Sequence, residues 1–193
     1  MRELRETILR QGQCVGDSIV KVDMFLNHRL DTRLMFAMGR ELADYFGKDK
    51  PDIVLTVEAS GIALALAAAH FLDDIPVVFA KKSPAANQSA DMLTAVAHSF
   101  THGNDNALRV DRRYLPAGSR VLVVDDFLAD GEASRALISI VEQAGCMLVG
   151  VGIAVEKGFQ PGGRRLREAG VNLKSLAIVT SIQDGRIQLA DDD

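Results

Sequence analysis

Two adjacent carboxylates close an apolar run in Val121–Ala133, which reads VLVVDDFLADGEA. Carboxylates repel phosphate, whereas the amino-terminal end of a helix attracts it through N–H groups that lack internal partners. A ligand that suits both Asp125 and Asp126 and the turn behind them must present hydroxyls or a metal to the acids and a phosphate to the helix. That is the chemistry of a phosphorylated sugar. In this reading the backbone of Ala129, Asp130, Gly131, Glu132 and Ala133 wraps the phosphate, and Gly131 lets the main chain come close. Neither a G-x-x-x-x-G-K-[ST] loop nor a G-x-G-x-x-G turn is present, so the two commonest nucleotide motifs are excluded. A bare VLVVDD also opens phospho-acceptor receiver domains. Those need most of their length after this strand, and here most of the chain precedes it. The remaining alternative, acids that merely cap a turn, conflicts with the rarity of paired buried carboxylates that have no role.

The elements around this stretch must place it. Asp52–Val57 (DIVLTV), Ile75–Ala80 (IPVVFA), Arg120–Phe127 (RVLVVDDF) and Met147–Glu156 (MLVGVGIAVE) read as apolar strands. GIALALAAAHF has the small-residue composition of a buried helix. In EASRALISIVEQAG the residues Ala133, Ala136, Leu137, Ile140, Val141 and Ala144 share one helical face, and Gly145 marks the stop. Apolar strands joined by helices predict an α/β fold, a doubly wound and mainly parallel sheet covered on both faces. Ligands of such sheets collect beyond the carboxyl ends of the strands. Four ends here carry polar groups: Glu58-Ala59-Ser60-Gly61, Lys81-Lys82, Asp125-Asp126 and Glu156-Lys157.

The connection 83–119 is too long and polar for an ordinary turn and predicts a flexible lid loop; its middle, MLTAVAHSFT, suggests a hairpin flap. The first fifty residues read as largely helical, clearest in DTRLMFAMGRELADYFG, and predict a cap. The whole chain, 1–193, is expected to be one domain, with a core over about 35–160 and a hood from about 1–34 and 157–190.

Composition narrows the function classes. Forty-eight per cent hydrophobic and 25% charged residues are ordinary for a water-soluble domain. A net charge of −4 disfavours a large nucleic-acid footprint. MRELRETILR reads as a charged amphipathic helix without the apolar stretch of a signal peptide, and no apolar run is long enough for a bilayer. A cytoplasmic protein without membrane or nucleic-acid partners is expected. Cys14 and Cys146 have no disulfide or metal spacing and read as core thiols. Met24, Met35 and Met38 read as core filler. The four histidines show no ligand spacing, and the acidic tail reads as a solvated end.

VLVVDDFLADGEA resembles the phosphoribosyl pyrophosphate (PRPP) signature of the type I phosphoribosyltransferases. KVDMFLNHRLD (Lys21–Asp31), VEASGIA (Val57–Ala63), PVVFAKK (Pro76–Lys82), LTAVAHSFT and EKGFQPGG (Glu156–Gly163) follow in the order of the branch of that family that acts on xanthine. The resemblance implies transfer of phosphoribose from PRPP to a purine, with release of pyrophosphate, in purine salvage. Asp125 and Asp126 would then hold the ribose hydroxyls, directly or through metal-bound water. Residues 129–133 would hold the 5′-phosphate, and Ser60, Gly61, Lys81 and Lys82 the pyrophosphate. Mg²⁺ is expected to arrive with PRPP near Asp125 and Asp126, with no metal held by protein side chains alone. Asn27 and the backbone around Val20 would meet the far edge of the base, Lys157 an oxygen of it, and Phe159 would offer a stacking face. The resemblance also suggests a homodimer.

Two departures sharpen these expectations. The family's phosphate loop often carries threonine hydroxyls, where this chain has Asp130 and Glu132; both charges oppose a phosphate unless they turn outward. Hypoxanthine–guanine members carry an acid where Ala129 stands, which favours the xanthine or adenine branch. Lys157 suits an oxygen acceptor rather than adenine's amino group, so an oxopurine is expected, xanthine first and guanine or hypoxanthine as alternatives. A catalytically silent sensor of PRPP or purine is the competing class.

Overall fold

The computed structural model describes residues 1–83, 91–98 and 105–191. Parts of the expected lid, 84–90 and 99–104, and the last two residues of the acidic tail lie outside the described residues. In chain order, α1 (Arg2–Gln11) leads into a hairpin of β1 (Gln13–Val15) and β2 (Ile19–Lys21), then a π-helical turn over Asp23–Asn27 and α2 (Thr32–Phe46). There follow β3 (Ile53–Val57), α3 (Gly61–His70), β4 (Val77–Ala80), the pair β5 (Met92–His98) and β6 (Asp105–Asp111), and β7 (Arg120–Leu128). The chain closes with α4 (Glu132–Gln143), β8 (Met147–Lys157), α5 (Gly162–Glu168), β9 (Leu173–Gln183) and β10 (Arg186–Leu189).

The main sheet has the order β10-β9-β8-β7-β3-β4. All its pairings are parallel except the edge pair β9–β10. The expected α/β class is therefore what the chain adopts. Its inner strands β3, β7 and β8 are apolar because both faces are covered. On β7, Leu122 and Val124 enter the core packed by α1, α2 and α3, while Val121 and Val123 enter the opposite core built with α4 and the β5–β6 pair. That period-2 partition puts apolar residues on both faces, which is why no polar alternation was visible.

Helix α2 begins at Asp31, whose side chain accepts a hydrogen bond from the Leu34 amide at 3.1 Å. It buries Leu34, Met35, Met38, Leu42, Ala43 and Phe46. Met24 does not join Met35 and Met38 in the core as expected. It is about half exposed, because it sits on the π-helical turn rather than on α2. Neither cysteine is fully buried: Cys14 and Cys146 are free thiols at the edges of the two cores.

The amino-terminal fifty residues are less helical than expected, since β1 and β2 form a hairpin there. Residues 157–190, expected in the hood beside 1–34, include β9 and β10, and these extend the same sheet that carries the site. The β9–β10 turn places Asp184 and Gly185 at φ 50° and 70°, the left-handed pair that a two-residue hairpin requires. In the lid region β5 and β6 do form a hairpin, with Leu93 opposite Val110 and Ala95 opposite Leu108. Leu93, Leu108 and Val110 are buried in the core that includes α4.

Candidate active site

From β3 the chain crosses through α3 to β4 on one side, while β7, β8 and β9 step away on the other. The carboxyl ends of β3 and β7 thus flank a topological switch point, where open α/β sheets form crevices. Asp125 and Asp126 lie at that end of β7, and both are nearly buried, 5% and 6% exposed. Asp126 faces two neighbours: Ser60 Oγ donates to its Oδ1 at 2.8 Å and Asn27 Nδ2 donates to its Oδ2 at 3.2 Å. One carboxylate therefore joins the turn after β3 to the turn before α2. Asp125 is folded more tightly, with Oδ1 accepting the Asp126 amide at 2.9 Å. Burial pushes its carboxyl well above the usual range, helped by the charge of Asp126 and a side-chain hydrogen bond with it; the nearby Lys82 ammonium acts the other way.

The turn Glu58-Ala59-Ser60-Gly61 lies against this pair. A Cβ on Gly61 would collide with Thr56 Oγ1 and press on Asp125 Oδ1, so only glycine lets the turn and the acids meet. The Thr56 hydroxyl is buried with no hydrogen-bond partner among the described residues. Glu58 Oε1 accepts the Lys82 amide at 2.7 Å, which ties the ends of β3 and β4 together. Beside them stands a cation that the sequence reading passed over. The Arg109 backbone bonds both ways with Lys81, and its guanidinium donates to the Lys82 carbonyl at 3.1 Å. The root of the β5–β6 hairpin is thus locked to the two lysines. The side chain of Lys81 is exposed.

Behind the acids, Ala129–Gly131 turns into α4. Gly131 has φ 89°, a left-handed conformation that favours glycine. Its α-carbon side is also closed by Gly162, whose Cα would lie 3.0 Å from an added Cβ. The Gly162 amide donates to the Ala129 carbonyl at 3.1 Å. That close approach explains Gly162, the first glycine of FQPGG, which buttresses the loop from outside, whereas a Cβ on Gly163 would collide with the Glu156 carboxylate. Within the loop, the Glu132 amide donates to Asp130 Oδ1 at 3.2 Å. The amides of Asp130, Gly131 and Ala133 have no protein acceptor among the described residues. Glu132 is buried, and its Oε1 accepts from Arg135 Nη1 at 2.9 Å.

Lys157 ends β8 beneath the β1–β2 turn. Its Nζ is 3.5 Å from the Ser18 carbonyl and 5.7 Å from the centre of the Phe127 ring. Burial lowers its pKa, and the charge of Asp130 partly restores it. Phe127, half-buried beside this cation, is an aromatic surface that its place in a strand does not by itself reveal. Phe159 is 37% exposed on the turn after β8. Val20 is 6% exposed and its side chain belongs to the core, so what its segment presents outward is backbone.

Glu156 does not join the other strand ends. It accepts two hydrogen bonds from Arg167, both 2.7 Å, and one from Ser175 at 2.5 Å, and it is 3% exposed. Neighbours on a strand project to opposite sides, so Lys157 reaches the crevice while Glu156 turns toward α5 and β9. Replacing Arg167 with Ala leaves a buried carboxylate with only a hydroxyl partner. The expected result is a loss of roughly 3 kcal/mol of folding stability in a denaturant titration. A loss below about 1 kcal/mol would mean the pair is not a structural clamp.

Among the described residues no group of three or more His, Cys, Asp or Glu side chains is placed to hold a metal, and no helix is long and apolar enough to cross a membrane.

Comparison with known proteins gives four matches. A family model described as phosphoribosyl transferase domain matches residues 26–184. The chain is 45% identical over 187 residues to xanthine phosphoribosyltransferase 1 of Clostridium perfringens, covering 97% of this chain and 98% of that one. It is 48% identical over 182 residues to the xanthine phosphoribosyltransferase of Bifidobacterium animalis subsp. lactis, covering 94% of each. Among solved structures, adenine phosphoribosyltransferase from Rhodothermus marinus superposes with a TM-score of 0.74 over 93% of this chain and 100% of that one. At 23% identity that likeness speaks to the fold.

Proposed function

The chain belongs to the phosphoribosyl transferase domain family, and from that premise we propose that it transfers phosphoribose from PRPP to xanthine, giving xanthosine 5′-monophosphate and pyrophosphate. The observation that carries the reading is the placement of Asp125 and Asp126 between the helix mouth at 129–133 and the Ser60-Gly61 turn with Lys82.

Each part has a task. The free amides of Asp130, Gly131 and Ala133 suit the 5′-phosphate, which they bind through backbone alone. Asp126, which now accepts from Ser60 and Asn27, suits the ribose hydroxyls, with Asp125 beneath it. Ser60, Gly61, Lys81 and Lys82 suit the pyrophosphate, and Arg109 braces the two lysines. The bond from ribose C1′ to the pyrophosphate oxygen breaks with its electron pair leaving on pyrophosphate, and a ring nitrogen of the base, its proton already lost to solvent on ionisation, forms the new bond to C1′. Positive charge develops on the sugar meanwhile, and two carboxylates beside it lower the barrier. The donor set fits Mg²⁺, which keeps its waters and binds through one or two carboxylates plus substrate phosphates. Asp125 and Asp126 would hold it, and when bound it would neutralise charge on the pyrophosphate.

For the base, Lys157, Phe127 and the Ser18 carbonyl of the β1–β2 turn bring together one cation, one aromatic face and a backbone acceptor. Xanthine supplies carbonyl oxygens for the cation, N–H groups for the acceptor and a ring for the face. It also ionises readily, so it does not need an acid at the position of Ala129. The same reading places the enzyme in the cytoplasm. It gives the exposed Phe36 and Leu66, on the α2–α3 face, a natural place in a homodimer contact.

The test is incubation of the pure protein with PRPP, Mg²⁺ and each purine, with chromatography of the products. Xanthosine monophosphate formed with a kcat/KM above that for guanine, hypoxanthine or adenine supports the proposal. A higher value for another oxopurine would reassign the substrate, and no nucleotide from any purine would leave a non-catalytic PRPP binder.

A further inference from the structure

An acid inside a phosphate-binding loop is a contradiction that the structure resolves. Glu132 is the first residue of α4, within the turn whose amides suit the 5′-phosphate, and its side chain is only 9% exposed. A buried carboxylate there repels a phosphate at short range, where screening by water is weak. Its neighbour Asp130 has a backbone partner and lies toward Lys157. Among the described residues Glu132 has one charged partner, Arg135 one turn along α4, at 2.9 Å. The arginine is 57% exposed and lines an open groove of about 1080 Å³ behind the loop, with Ser139, Arg165 and Glu132 itself. The pair is therefore lopsided: the acid is nearly buried where the loop borders this groove, and its counter-charge reaches it from the solvent side.

We propose that Arg135 is a positioning residue for PRPP. It neutralises Glu132 and draws its carboxylate away from the loop amides, so that the mouth of α4 presents a positive potential to the 5′-phosphate. This rests on the reading of 129–133 as the phosphate loop. It adds a residue outside that loop on which PRPP affinity depends, with no contact between Arg135 and substrate. Removal of the guanidinium leaves a bare charge beside the phosphate, and removal of both charges restores a neutral loop.

The experiment compares R135A, E132Q and the double variant E132Q/R135A by steady-state kinetics, with thermal melts to confirm folding. R135A is expected to raise KM for PRPP about tenfold to a hundredfold, with kcat and KM for xanthine changed less than threefold. It raises the inhibition constant of ribose 5-phosphate in parallel and leaves that of pyrophosphate alone. The double variant recovers most of the lost PRPP affinity, which a purely structural role of Arg135 does not predict. R135K, which keeps the positive charge, falls between wild type and R135A, and serves as the comparison if R135A does not fold. G131V separates the two levels of inference by filling the loop with a side chain. If G131V weakens PRPP while R135A does not, or if E132Q fails to rescue R135A, the role of Arg135 is overturned and the loop assignment stands. If G131V folds and binds PRPP normally, the loop assignment itself falls.

Discussion

Replacing Asp126 with Ala is expected to cut kcat/KM for phosphoribosyl transfer by at least a thousandfold while the protein stays folded. The carboxylate is almost out of water, and in the proposed reading it stands beside the sugar as a transition-state stabiliser. Three powers of ten correspond to about 4 kcal/mol. That is the range seen when one preorganised electrostatic group is removed from a dry site. The structural cost is smaller. Asp126 accepts one bond from Ser60 and one from Asn27. Ser60 is partly exposed and Asn27 exposed, so water replaces the lost acceptor and the stability change stays near 1 kcal/mol. Asp126→Asn separates charge from shape: it keeps the volume, and it too is expected to lose at least a hundredfold. Rates measured with saturating xanthine and varied PRPP, beside a thermal melt, decide the matter. A folded Asp126→Ala enzyme within tenfold of wild type would remove this residue from the chemistry.

The parts of this site that the sequence disclosed were those in which residue type alone decides the chemistry. An acid pair at the end of Val121–Val124 needed no structure to mark it, nor did the Gly131 turn behind it. Strands β3, β7 and β8 stood out because burial on both faces makes them continuous, and the half-exposed edge strand β4 because all four of its residues are apolar. Strand β9 did not, since Lys174, Ser175, Thr180 and Ser181 interrupt its run near the sheet's edge. Yet Asp184-Gly185 after it is a hairpin signal in plain view. The β1–β2 hairpin escaped because three residues per strand carry no periodicity. Side-chain direction was the larger gap. Glu156 and Lys157 read alike as a polar strand end, and only the structure shows one clamped by Arg167 and the other at the crevice. Arg109 and Arg135 were illegible for another reason: what each does depends on a partner, Lys82 or Glu132, that composition cannot pair with it. Phe127 looked like any strand aromatic until Lys157 was found over its ring.

Lys157 carries the second large effect. Substituting Met keeps the stem against Phe127 and removes only the ammonium. Transfer to xanthine is expected to fall about a hundredfold to a thousandfold in kcat/KM, because an oxopurine oxygen then enters the pocket without its donor. KM for PRPP is expected to stay within threefold, since Lys157 lies beside the loop rather than among its amides. The pH profile supplies an independent reading of the same residue. Lys157 is a cation below its pKa, and burial lowers that pKa. As pH rises, the charge is lost earlier than on a lysine in water, so kcat/KM for xanthine declines along an alkaline limb. Asp130 opposes the shift. Asp130→Asn withdraws that support, lowers the pKa further and moves the limb to lower pH. Lys157→Arg moves it the other way, because a guanidinium stays charged throughout the accessible range. Limbs that coincide in all three proteins would assign the titration to another group, and a Lys157→Met enzyme with undiminished xanthine turnover would take Lys157 out of base recognition altogether.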